Sequence, residues 1–153
     1  MKSREQRVLA VQVHRLIRCD LPDKSIRKIV RMVFQEEGRK EKGLVSIVLT
    51  DDKTLQDLNV RFFKKNRPTD VIAFPLGDQE NFLGEIYISI ERAEANRIEY
   101  RVPLSQEVAR YIIHGLLHLL GYPDKTREEK KRMREKEDMY LKKINPIFLK
   151  GFL

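Results

Sequence analysis

The stretch from His114 to Asp124, HGLLHLLGYPD, places two histidines four positions apart inside an otherwise apolar run. On a helix, residues four apart lie on one face, one turn from each other. Burying an imidazole is costly unless its ring nitrogens find partners. A shared metal ion satisfies both rings at once, and His114 and His118 have the spacing of the two-histidine zinc helix. Gly121 then ends the helix, because glycine takes the left-handed conformation cheaply and lets the chain reverse. Three residues later Asp124 is placed to offer a carboxylate to the same ion. The expected site is therefore one divalent metal ion held by His114, His118 and Asp124.

The spacing H-x-x-x-H-x-x-G-x-x-D follows the metzincin ligand pattern in every interval, with two differences. Gly115 stands where the proteases carry their general-base glutamate. The third ligand is an aspartate instead of a histidine, which is chemically acceptable because carboxylate oxygens bind zinc at ordinary distances. A metallopeptidase is one reading of this pattern, and Gly115 opposes it. No side chain within the motif is an obvious general base, so the catalytic residues stay unassigned at this stage.

The rest of the chain says what kind of fold carries such a helix. Its 153 residues amount to one domain, 1–153, without repeats, low-complexity segments or linkers. Segments 7–17, 43–50, 70–76 and 84–90 are short, β-branched or alternating, and read as four strands. Between and after them, Ile26, Ile29, Val30 and Val33 mark one helix, and Leu55, Leu58 and Phe62 a second, opened by capping aspartates. A third helix follows in ERAEANRIEYR, and the histidine-bearing helix begins near Ser105, read as an approximate capping box. A last, highly charged helix has Met133, Tyr140 and Leu141 as its contacts; its other face, Glu137 included, reads as solvated and salt-bridged. The expectation is an α/β (α+β) domain with a mixed four-stranded sheet packed with helices, one of them zincin-like and metal-binding.

Lys and Arg number 31 against 23 Asp and Glu, a net charge of +8 that suits a polyanionic partner. No signal peptide and no apolar run long enough to span a bilayer stand in the sequence. The lone Cys19 excludes a disulfide within the chain, and a cytoplasmic location is expected. His14 reads as a surface residue. RFFKKNR, 61–67, interleaves four cations with two aromatics, the equipment of single-strand nucleic-acid binding. Taken alone, it reads more simply as Phe62 and Phe63 in the core with lysines solvating the turn.

HGLLHLLGYPD, together with RPTDVIAFP and LGEIYIS, resembles the YbeY family of bacterial endoribonucleases, most closely over residues 43–124. The resemblance implies a zinc-type ion on the helix histidines and action on single-stranded ribosomal RNA. It further implies maturation of the small-subunit RNA 3′ end, ribosome quality control and the ribosome as partner. Carried over by position, the first two ligands fall on His114 and His118, and the third, usually a histidine, falls on Asp124. The arginine that the family uses ahead of the PTDV stretch aligns with Phe63, and Arg61 lies two residues earlier. Arg61, Lys64, Lys65 and Arg67 are the expected substrate-binding cations. A non-catalytic RNA- or ribosome-binding assembly factor with a structural metal is the third reading.

Overall fold

The structure is a computed structural model and describes residues 9–40, 42–64, 69–77 and 82–144. Strand β1 (Leu9–Arg15) buries Leu9 and Val11, half-buries Val13 and exposes Ala10, Gln12 and His14, as an alternating pattern requires. Helix α1 (Asp23–Glu36) returns the chain to β2 (Gly43–Thr50), which lies parallel to β1. The helix is needed because parallel neighbours cannot be joined by a tight turn. Ile26, Ile29, Val30 and Val33 are fully buried, as their spacing predicts.

Helix α2 (Asp52–Phe63) follows, with the Asp51 carboxylate accepting a hydrogen bond from Thr54 N at 2.8 Å. The edge strand β3 (Val71–Pro75) then pairs antiparallel with β4 (Phe82–Ser89), and β4 lies parallel to β2. The sheet order is β1-β2-β4-β3, the mixed four-stranded sheet expected from the sequence. Helix α3 (Ile90–Tyr100) starts on Ser89, whose hydroxyl caps Arg92 N and donates to Asp52 at 2.5 Å, tying the starts of α2 and α3 together.

Helix α4 (Leu104–Leu119) is apolar on nearly every side because it is enclosed: α1, α3, the sheet and helix α5 (Arg127–Ile144) all pack against it. Its distance from β4 is set by Gly115, where an added Cβ would lie 2.6 Å from Ile86 Cγ2. One capping expectation changes. Ser105 does not cap α4, which begins after Pro103 without a side-chain cap, and the Ser105 hydroxyl has no hydrogen-bond partner among the described residues. The true capping box opens α5: the Thr126 hydroxyl accepts from Glu129 N at 3.1 Å and Glu129 Oε1 from Thr126 N at 2.9 Å.

Candidate metal centre

The end of α4 forms a Schellman turn. Gly121 sits at φ +100°, its N–H donates to His118 O at 3.0 Å, and Tyr122 N–H donates to Leu117 O at 2.9 Å. That reversal brings Asp124 back under the helix histidines. The His114 and His118 Nε2 atoms are 3.0 Å apart, and Asp124 Oδ2 lies 3.0 Å from His118 Nε2 and 3.3 Å from His114 Nε2. Tetrahedral zinc with ligands at about 2.0–2.1 Å needs neighbouring donors about 3.3 Å apart. The three donors therefore have the spacing, and the half-buried setting, of a site that could hold such an ion.

A fourth residue completes the arrangement. Glu137 of α5 is only 5% exposed; its Oε2 accepts from His114 Nδ1 at 2.6 Å and its Oε1 from Arg110 Nη1 at 2.9 Å. Arg110 also reaches Asp138 at 2.7 Å. A proton held on Nδ1 leaves the Nε2 lone pair of His114 facing Asp124 and His118, which is how carboxylates orient metal-binding histidines. Burial opposes a charged His114, but the hydrogen bond and charge of Glu137, with the charges of Asp70 and Asp124, outweigh it and raise the ring's pKa. Glu137 thus corrects the expectation of a solvated face on α5. Its signal was in the sequence: Met133, Glu137, Tyr140, Leu141 and Ile144 form one buried helical stripe, with an acid at a core position.

His114 and Asp124 of the triad line a cleft of about 490 Å³ between α3, α4, α5 and the start of β3. Glu107, 4% exposed, lies in its wall, and burial pushes its carboxyl pKa up against the opposing charges of Arg110 and Arg134. Asp70, Lys130 and Arg134 also line it. A perturbed acid beside a donor cluster in a cleft is the usual mark of a functional site.

Behind the triad, Glu37 holds the turn that carries Asp124. It accepts from the hydroxyls of Tyr122, at 2.6 Å, and Tyr140, and pairs with Lys136 at 2.9 Å. Burial pushes its carboxyl pKa up, but the hydrogen bonds from Tyr122, Tyr140 and Lys136 together bring it below the ordinary value of 4.5. A carboxyl with a depressed folded pKa contributes stability above its unfolded pKa and loses it as pH falls through the folded value. Wild type is therefore expected to melt above Glu37→Gln at pH 7, with the gap closing as pH drops below about 4.5. Thermal melts across that range test this, and a gap constant with pH would contradict it.

The described part of the basic segment, at the end of α2, is not brought to the triad. Arg61 and Lys64 lie exposed at the end of α2, whereas Lys65 and Arg67 fall outside the described residues. Gly84 and Ile86 of β4 face α4, so Glu85, Tyr87 and their neighbour Phe74 face the other way, where the end of α2 packs. Phe62 and Phe63 are not core residues: they are 56% and 47% exposed and rest on Phe74.

If Asp124 is the third ligand, Asp124→Asn should weaken zinc binding, because a neutral amide is a poor donor. Asp124→His should keep or tighten it at neutral pH. Competition titration against a chromophoric chelator measures all three forms. Equal affinities would place the third ligand elsewhere.

A buried helix carrying two histidines, an aspartate returned beneath them and a mixed sheet behind define an α+β protein with a zincin-like candidate metal centre. A sequence profile of the family described as Endoribonuclease YbeY matches residues 12–145. Curated relatives with that name include those of Aquifex aeolicus, 36% identical with 94% of this chain and 95% of the relative covered, and Carboxydothermus hydrogenoformans, 42% identical with 76% and 81% covered. A third, from Chlorobium phaeovibrioides, is 34% identical and covers 88% of this chain and 90% of its own. The solution structure of a Thermotoga maritima protein superposes with a TM-score of 0.62 at 26% identity, over 86% of this chain and 87% of that one. The chain belongs to the YbeY endoribonuclease family.

Proposed function

We propose that this protein is a metal-dependent endoribonuclease acting on single-stranded ribosomal RNA, with zinc held by His114, His118 and Asp124. The convergence of those three donor atoms, two of them from residues that line a charged cleft, in a chain of this family, carries the reading. A bound ion would supply Lewis acidity toward a phosphoryl oxygen and lower the pKa of a nearby water. The chain's own residues have separate tasks. Glu137 keeps the His114 Nδ1 proton in place, Lys130 and Arg134 meet phosphates along the cleft, and Arg61, Lys64, Lys65 and Arg67 hold a flanking stretch of RNA. The proposed setting is the cytoplasm, with the ribosome as partner and residues 1–153 acting as one domain. The proposed role is maturation of the small-subunit RNA 3′ end and ribosome quality control. Among the described residues, no helix is long and apolar enough to cross a membrane.

The metallopeptidase reading loses support at position 115. That residue faces Ile86 instead of the cleft, and even a Cβ there meets Ile86 at 2.6 Å, so a glutamate base would have no room. Incubating the protein with labelled single-stranded RNA and with casein, each with and without chelator, tests the three readings. Chelator-sensitive RNA cleavage with intact casein is expected. Cleavage of casein would favour the peptidase, and RNA binding without cleavage the assembly factor.

The basic segment has its own test. Removing one cation that neutralises a phosphate should reduce the slope of log affinity against log salt by about 0.7 for a single strand. Arg61→Ala combined with Lys64→Ala should flatten it by about 1.4 and leave zinc content unchanged. A wild-type slope in the double variant would mean that these cations are merely solvated.

A further inference from the structure

Four aromatic rings form one cluster on the face of the sheet turned away from α4. Phe62 meets Phe74 edge-on at 5.2 Å between centroids, Phe63 stacks on Phe74 at 5.9 Å, and Phe74 meets Tyr87 edge-on at 5.8 Å. Phe62 and Phe63 are about half exposed, and Val60 beside them is exposed as well. A clustered apolar patch left open to water calls for a partner. Arg61 and Lys64 flank it, and both are exposed.

The patch and the cleft are linked by one strand. Among the described residues β3 is one edge of the sheet, with Asp70 at its start lining the cleft and Phe74 near its far end carrying the cluster. Four residues of strand span about 13 Å. Val71 and Ala73 pair with Ile88 and Ile86 on the α4 side, while Ile72 and Phe74 point to the other side. A ligand touching both places must therefore pass around the β3 edge.

We infer that Phe62, Phe63, Phe74 and Tyr87 form a base-stacking platform for single-stranded RNA. The same strand that enters the metal cleft wraps the β3 edge and lays its flanking bases on these rings. Rings interleaved with cations suit a single strand: bases of any sequence stack on the rings while Arg61 and Lys64 meet the phosphates. Glu85, beside Tyr87, leaves the α2 side as the favourable path for a polyanion. The inference rests on the endoribonuclease reading and adds a second, remote contact to it.

The test compares oligoribonucleotides of about 12 and about 4 nucleotides, with binding followed by fluorescence anisotropy in the zinc-loaded protein. In the double variant Phe62→Ala with Phe63→Ala, affinity for the longer strand should fall by about tenfold or more. Affinity for the short strand, zinc content and melting temperature should stay near wild type. Phe63→Tyr keeps a stacking ring and should bind the longer strand as wild type does. If the double variant binds the longer strand with wild-type affinity while wild type binds it tightly, the platform is overturned and the patch fits a protein surface instead. An equal loss for both lengths overturns it too, because the rings then act on the cleft rather than beside it. If wild type binds neither strand, the endoribonuclease reading falls, and this inference with it.

Discussion

Glu137→Ala is expected to destabilise the protein by about 3 kcal/mol and to weaken zinc binding by about 10- to 100-fold. The stability term arises because Glu137 is the buried partner of both Arg110 and His114, and its removal leaves a guanidinium and a ring N–H without their acceptor. The value sits at the lower end of the range for broken buried pairs because Arg110 keeps Asp138. The metal term arises because nothing then holds the His114 proton on Nδ1. Glu137→Gln, which preserves shape, should lose less stability but still weaken the metal. Urea unfolding and chelator competition measure the two effects separately. Wild-type zinc affinity in both variants would remove Glu137 from the site.

The second large effect is His118→Ala. With one of three donors gone, two cannot hold the ion, so stoichiometric zinc should be lost and RNA cleavage should fall to background. His114→Ala should do the same. The His118 variant is the cleaner of the two, because its ring is partly exposed and bonds to His114 and Asp124 of the triad itself, so the fold should persist. Elemental analysis of the purified variant, with circular dichroism as the folding control, decides it. Full zinc occupancy would mean that the ion is held elsewhere.

What could be read from the sequence was whatever depended on local spacing. The histidine pair, the reversal at Gly121 and the return of Asp124 are consequences of helical period and one left-handed residue. The strands and helices follow from alternation and apolar stripes, and the element types came out as expected. The helix start at Ser105 did not, because the helix already begins at Leu104, with Pro103 O accepting from the Gln106 and Glu107 N–H groups, which puts Ser105 inside the first turn. Glu137 escaped for a different reason. Its acid looks like its charged neighbours until its place in the stripe from Met133 to Ile144 is noticed, and its partners come from another helix. Phe62 and Phe63 read as core because phenylalanine usually is. Where α2 ends over the sheet, and hence their exposure, is a tertiary fact with no local signal.

All three donors of the triad come from residues 114–124, whereas the sheet behind them pairs Ile47 with Ile86. Closing a loop costs more entropy the longer it is, and helices with their end turns form far faster than distant parallel strands find each other. The ligand set can therefore assemble early in folding, before β2 and β4 have met. An ion captured at that stage would fasten the end of α4 to the turn at Asp124, and the docking of α5, which brings Glu137 to His114, would convert a loose chelate into an oriented one. Metal supply during folding, and not only in the finished protein, would then govern how much of the chain reaches its working form.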